Sequence, residues 1–595
     1  MACHVRDNDE RRLFGMRFLH FILHPSYFIL FFALSAFAQM SYDPGDWTSY
    51  RDFRYARCLD AGAHELFVAT SAGVQEYNLF SRSWNDPMVV GFGLSEAVEF
   101  DDPMLLLYDE QVGNVWVVTR SQLLVYDVDG ARWRRVHRNL WGPGDRVINL
   151  GVGANDIYLE TVPAAFFSSF FLLGSPIPNN RWRGMVTRYK GSRTFGGLQM
   201  ELDPQEDPNI RWRGFRSKVP LTSQQLFGGI GAPPANFPSI LLNDGWQWHL
   251  DGTLMDPYLR AMPITDWLVD KFGNLWTTFW GGGIIKTDLR TYFPQFFSTG
   301  PAGNDIRALY VGIDDLWMGG FNSGDRLGIT WADPALKDWK FFERRDNTRI
   351  RSTDLYDIAV WDGAAWFATE EGLLAFQKKG EEWSLFTVSE NLQSNQLRAL
   401  AVKDNELWIG NSNGLCVMKS PGREIWRVPN DGIELAGVTD LAICEDTLFV
   451  GTGHGLFKGS VRNHAMKFTP LDPGLLTAPV LDISVWRSEI WLVTSEGIQV
   501  YNQSSGISKS WRAQDWMSGS EPSCICAMDS FIWVGTRANG FYRYRRSTGE
   551  WISYTTADGL VDNRVQIIRP DGDDLLIGTA NGLTRFYWNR PGRLR

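Results

Sequence analysis

The stretch IWVGTRANGFYRY (532–544) decides the fold, because the chain repeats it. LLIGTANGLTRF (575–586) follows it; IWLVTSEGIQVY (490–501), LFVGTGHGLF (448–457), LWIGNSNGLCVM (407–418) and AWFATEEGLLAF (365–376) precede it. The same phrase stands near the start as LFVATSAGVQEY (66–77). Trp317, Trp366, Trp408, Phe449, Trp491, Trp533 and Leu576 hold one position in successive copies, at spacings of 49, 42, 41, 42, 42 and 43 residues. A period of about 40–50 residues carrying four short strands is that of a β-propeller blade.

Each part of one unit has a physical reading. SCICAM (523–528) is a short apolar run, suited to an inner strand, and FIWVGT (531–536) returns beside it. RANG (537–540) turns the chain, with a glycine free to take positive φ. FYRYR (541–545) alternates large and polar residues, and WISYT (551–555) supplies an outer strand anchored by Trp551. One such sheet cannot bury both faces alone, so neighbouring sheets must stack on it. The 27 Trp, 37 Phe and 18 Tyr suit that wedge-shaped packing and read first as core. Outer-strand anchors recur at Trp84, Trp133, Trp339, Trp383, Trp426, Trp511 and Trp551.

The pattern I/L-W-I/V-G-T-x-x-G-L, a tyrosine strand, S-T-G-x-W and D-G-L-x-x-N-x-V resembles the two-component regulator propeller repeat. ENLQSNQLRAL before LWIGNSNGL, and IWVGT with STGEWISYTTADGLVDNRV, carry it best. The resemblance covers most of residues 46–160 and 265–590. It implies a propeller of the kind found in the extracytoplasmic, glycan-sensing half of hybrid histidine kinases. The chain departs from that plan in showing no kinase or DNA-binding pattern and no membrane span after the repeats. A free-standing propeller without a histidine kinase is therefore expected.

Net charge of −10 and a pI near 5.4 argue against a general nucleic-acid partner. MRFLHFILHPSYFILFFALSAFAQ (16–39) has a positive start, an apolar core and the small-x-small Ala36-Phe37-Ala38. It reads as a signal peptide cleaved after residue 38, with Met16 as the initiator. A secreted or periplasmic protein without stable membrane insertion is expected. Five cysteines remain beyond the leader, an odd number, and read as small core residues. A Cys416–Cys444 bond between neighbouring blades is the one pairing the reading leaves open.

Phe67, Trp116, Tyr158 and Trp276 complete a set of eleven anchors with the seven above. The fold class expected is all-β: four-stranded antiparallel blades in two rings of about five and about seven. A single large ring is the alternative. The domains expected are a leader at 1–38, a first propeller at 39–300 and a seven-bladed second propeller at 301–595. DWTSYRDF (46–53) looks like an outer strand without a unit of its own, so it is expected to close the last blade. A gap of 118 residues separates Tyr158 from Trp276. It is expected to hold a degenerate unit around 238–253 and an insertion at about 161–237 that projects from the smaller ring.

Signals for catalysis are poor. The histidines form no H-x-H or H-E-x-x-H pattern, and no nucleophile elbow is present. No catalytic residue, metal site or cofactor is expected. The candidate ligand-binding residues are Arg181, Trp182, Arg211 and Trp212, in two R-W-R-G pieces of the insertion. Guanidinium forks bind carboxylates, and indole faces stack on sugars or cations. The competing reading is an edge strand with a buried tryptophan. The expected function is a non-enzymatic scaffold that binds a protein or glycan partner. The alternatives are a polysaccharide lyase or hydrolase in a ring funnel, or a structural component of a secretion or surface assembly.

Overall fold

The computed structural model describes residues 42–590 apart from 90–101, 131, 139–144, 164–185, 195, 206, 215–245, 250–252, 292, 322–327, 421–422, 430–436, 463–467, 472–477 and 517–519. The proposed leader, Arg181 and Trp182 lie outside the described residues. Asp43–Leu594 forms one compact unit.

The described strands form eleven antiparallel sheets, and each of the eleven anchors sits in the strand next to the inner strand of its own sheet. Nine of the sheets contain four strands, in the order inner to outer that the repeat implies. The architecture is therefore an all-β propeller. Seven inner strands run side by side: Ala308–Val311, Asp357–Trp361, Leu397–Lys403, Val438–Cys444, Val480–Trp486, Pro522–Ala527 and Val565–Asp571. The last returns to the first, and the Ile306 amide donates to the Thr579 carbonyl at 2.9 Å across that junction. Four further sheets have the inner strands Ala261–Val269, Ala56–Ala61, Leu105–Asp109 and Arg146–Val152, neighbours in that order. We read them as a second, smaller ring.

The G-T-x-x-G phrase is a device for joining blades. The threonine hydroxyl donates to the glycine carbonyl across the turn, at 2.7 Å in Thr369–Gly372 and 2.8 Å in Thr536–Gly540 and Thr579–Gly582. In LWIGNSNGL, Asn411 stands at the threonine's place and accepts from the Asn413 amide at 2.9 Å. The first glycine leaves room for the next blade: a Cβ on Gly410 would meet Val438 at 2.5 Å, and one on Gly578 would meet Ile306 at 2.7 Å. The second glycine leaves room for the outer strand. Gly540 has φ of +71°, and a Cβ there would lie 2.0 Å from the Tyr554 carbonyl oxygen. Gly540→Ala is therefore expected to cost about 2–4 kcal/mol, from the strained φ and the clash together, read as a lower urea midpoint. An unchanged midpoint would remove this account of the turn.

The sheet of the last repeat takes its outer strand from the other end of the chain. Trp47–Tyr50 pairs antiparallel with Gly582–Tyr587, placing Trp47 opposite Phe586 and Tyr50 opposite Leu583. The Tyr50 carbonyl occupies the space over Gly582 that an outer-strand carbonyl fills in other blades. Trp47 is buried and stacks on Phe586 with ring centroids 3.8 Å apart.

Two sheets depart from the plain blade. The Tyr158 sheet has five strands, ordered Gly196–Met200, Thr187–Ser192, Asp156–Val162, Arg146–Val152 and Arg211–Gly214. Gly196–Met200, Thr187–Ser192 and Arg211–Gly214 come from within the segment that the sequence reading treats as a projecting insertion. The described part of that segment, residues 186–214, is thus largely built into a blade. The reason lies in Tyr189 and Leu198, which join a buried cluster with Leu150, Leu159 and Trp116. The Trp276 sheet has six strands, because Gln247–Trp248 and Thr253–Met255 add to the start of Ala261–Val269. These two short strands are the described remnant of the degenerate unit.

Cys58, Cys416, Cys444, Cys524 and Cys526 are all buried. Cys416 and Cys444 are not bonded to each other; the Cys444 thiol donates to the Arg487 carbonyl.

Candidate functional site

The predicted residues Arg211 and Trp212 lie on the strand added to the innermost edge of the Tyr158 sheet, opposite Val152 and Gly151. Arg211 donates to Asp60 at 2.8 Å and to the Tyr108 carbonyl. Arg213 donates to the Leu59 carbonyl and lies 3.4 Å from Asp60 and 3.5 Å from Asp266. The strand is thus set against the inner edges of three neighbouring sheets, with its guanidiniums on buried carboxylates. Trp212 is half-buried, with the Arg188 guanidinium 5.6 Å from its ring centre and Tyr158 at 6.1 Å. Gly151 is bare beneath the indole: a Cβ there would lie 2.6 Å from it. These contacts account for the R-W-R-G piece at 211–214 by packing and internal ion pairing.

The larger ring holds a different set. Aligning its inner strands by their partners places Arg307, Tyr356, Arg398, Thr439, Leu481, Ser523 and Gln566 at one register position. These seven form a rosette where the inner strands begin. On one side it is closed by small bonds to the next blade: Thr439 donates to the Val480 carbonyl and Ser523 to the Val565 carbonyl. On the other side, Arg307, Phe321, Tyr356 and Arg398 form a ladder. The Arg307 guanidinium lies 4.2 Å from the Phe321 ring centre. Phe321 meets Tyr356 edge-on at 4.9 Å, and the Arg398 guanidinium covers Tyr356 at 3.7 Å.

Carboxylates hold the ladder in place. Asp305 pairs with Arg307 at 2.8 Å and accepts from the Phe321 amide and the Gln566 side chain. Glu370 accepts from the Tyr356 hydroxyl and pairs with Arg398 at 3.4 Å. The Tyr356 phenol is raised above its ordinary pKa by burial and then by Glu370; Glu370 is held low by the Tyr356 hydroxyl and Arg398. Phe321 is still 38% exposed, unusual for so large an apolar side chain in the middle of a bonded network. Sequence reading missed this site because successive rosette residues are 41–49 residues apart and each stands at or just before an ordinary strand start.

One step along the strands, the axis carries acids. Asp357, Asp440 and Asp482 point to the next blade and accept the Leu400, Ile483 and Ile525 amides at 2.7, 2.6 and 2.6 Å. Asp60 and Asp266 do the same for Tyr108 and Leu59 in the other sheets. An inner strand has no partner on its axial edge, so these carboxylates satisfy amides that would otherwise be orphaned. Burial pushes the Asp357 carboxyl up to about 6 and raises Asp440 and Asp482, which interact with each other. The Arg569 guanidinium faces all three. Among the described residues no group of three or more His, Cys, Asp or Glu is placed to hold a metal ion.

No family model matches the chain. PorZ, an essential bacterial surface component of the type-IX secretion system of Porphyromonas gingivalis, is similar with a TM-score of 0.55 and 14% identity. The match covers 91% of this chain and 87% of that one. This is a β-propeller protein. The extracellular domain of a one-component system from B. thetaiotaomicron is similar at a TM-score of 0.43 and 15% identity, covering 90% and 76% of the two chains. Histidine kinase P4 of Formosa agariphila is 24% identical over 249 residues, 37% of this chain. This propeller spans only 18% of that kinase's length. Among the described residues no helix is long and apolar enough to cross a membrane.

Proposed function

We propose that the propeller is a non-enzymatic binding scaffold outside the cytoplasm, and that it takes a protein or glycan partner on the larger ring, at the rosette. The observation that carries this reading is the Arg307–Phe321–Tyr356–Arg398 ladder. Arginine and aromatic side chains held rigid by a bonded surround are the composition of a binding hot spot. Phe321 keeps apolar surface in water that a partner would bury. The axial acids favour a scaffold over an enzyme, since their oxygens are engaged with strand amides. The repeat resemblance and the likeness to extracellular domains and to a surface component fit a secreted or periplasmic setting. In the PorZ-like variant of this reading, the partner is another member of a surface assembly.

Phe321→Ala tests it. Crosslinking of the tagged protein in intact cell envelopes should yield a defined adduct with the parent and about tenfold less with the variant. The thermal midpoint should stay near the parent's, because Phe321 is exposed. An adduct that forms equally well with Phe321→Ala would place the binding face elsewhere.

A further inference from the structure

The connector that leads into the ladder carries a cluster of positive charge. Residues 344–351 read RRDNTRIR, with four arginines and one aspartate in a protein of net charge −10. Arg344, Arg345, Arg349 and Arg351 are all exposed. Of the two acids on the connector, Asp346 accepts from the Tyr258 hydroxyl and from the Glu343 amide, and Asp354 stands between the arginines and Tyr356. The connector is anchored beneath by buried Ile350 and Leu355. Leu355 donates to the Gly320 carbonyl at 3.2 Å, which ties the connector to the turn bearing Phe321. It then runs directly into Tyr356. The arginines and the exposed phenylalanine therefore lie at the same end of the blade.

We propose that this surface docks an acidic polypeptide segment bearing an apolar or aromatic anchor, with the arginines taking its carboxylates and Phe321 taking the anchor. The proposal rests on the reading of the rosette as the binding face. Its charge argument is complementarity: a basic strip on an acidic protein attracts and orients an anionic partner. The ladder geometry favours a peptide over a polysaccharide. A sugar needs an open aromatic face. The Tyr356 face is covered by Arg398 at 3.7 Å, and its hydroxyl is taken by Glu370. The Arg307 guanidinium sits by the Phe321 ring at 4.2 Å. What stays accessible is apolar edge and guanidinium N–H, which suits a side-chain anchor and carboxylates.

The test uses fluorescence anisotropy with a labelled twelve-residue peptide of Glu and Asp containing one central Trp. A Ser/Gly peptide with the same Trp and an alginate oligosaccharide are the comparators. The parent should bind the acidic peptide, more weakly as salt rises, and bind the neutral peptide at least about tenfold less well. Arg349→Glu combined with Arg351→Glu should abolish most of that binding, and Phe321→Ala should weaken it about tenfold. Both variants alter exposed positions, and circular dichroism checks that they fold. Absence of binding to the acidic peptide would overturn the proposal. So would binding indifferent to the arginine reversal, or alginate displacing the peptide with the same arginine dependence. Self-association of the parent lost on the arginine reversal would overturn it too, by making a second copy the occupant. If the reversal leaves the envelope adduct intact while Phe321→Ala removes it, the acidic-segment proposal falls and the binding-face reading stands. If neither variant changes the adduct, the binding-face reading itself falls.

Discussion

Trp47→Ala is expected to destabilise the protein by about 3–5 kcal/mol, the range for deleting a large buried aromatic side chain. Its ring is stacked on Phe586 at 3.8 Å and lies 6.2 and 6.1 Å from Phe541 and Tyr554. Those partners come from the last two blades, so the loss falls on the seam where the two ends of the chain meet. Removal of residues 43–53 should be more severe. It would delete the Trp47–Phe586 to Tyr50–Leu583 pairings and the Ser49–Thr584 hydroxyl bond of 2.9 Å. It would also expose the Gly582–Tyr587 strand as an open edge, which invites pairing with other chains. The readouts are the urea midpoint for the point variant and light scattering for the truncation. A truncated protein that stays monodisperse and unfolds at the parent's midpoint would show that the terminal strand does not close this sheet.

Asp440→Asn is expected to stabilise the protein near neutral pH and to flatten its pH dependence. Burial raises the Asp440 and Asp482 carboxyls, and Asp357 is pushed up to about 6. A carboxyl whose folded pKa exceeds its unfolded value binds its proton more tightly when folded. Its stabilising contribution is therefore complete below the unfolded value near 3.8 and lost as pH rises through the folded value. From about pH 4 to about pH 6 and above, the native axis of the parent must hold charges that it disfavours. Asparagine keeps one oxygen for the Ile483 amide, gives up the second oxygen that accepts the Leu441 amide at 2.8 Å, and removes the buried charge. The gain at pH 8 should be about 1–3 kcal/mol, reduced to near zero at pH 4, seen in urea midpoints at the two pH values. A variant less stable than the parent at pH 8 would mean that Arg569 needs the Asp440 charge.

What the sequence by itself determined is the blade. The anchor strands are short apolar runs buried almost throughout, so the period, the Trp366, Trp408 and Trp533 anchors and the G-T-x-x-G turns are all readable within a few residues of one another. The same local logic covers the threonine bond to the glycine carbonyl, because both partners lie in one turn. The axial aspartates were legible as well, in V-T-D-L (438–441) and V-L-D-I (480–483), though only as strand residues. Their task of accepting an amide 43 residues onward depends on the angle between blades, which no strand pattern encodes. R-W-R-G at 211–214 shows the limit from the other side. Arginine and tryptophan chemistry suggests a binding surface, yet the fold turns those guanidiniums onto Asp60 and Asp266, acids about 150 residues earlier and about 50 later in the chain. The rosette is the converse case. Arg307, Tyr356 and Arg398 each look like an unremarkable strand start, and ring closure brings them into van der Waals and ionic contact. Local periodicity sets which face of a strand is buried; only the tertiary structure decides which distant faces meet, because that depends on how sheets stack around an axis.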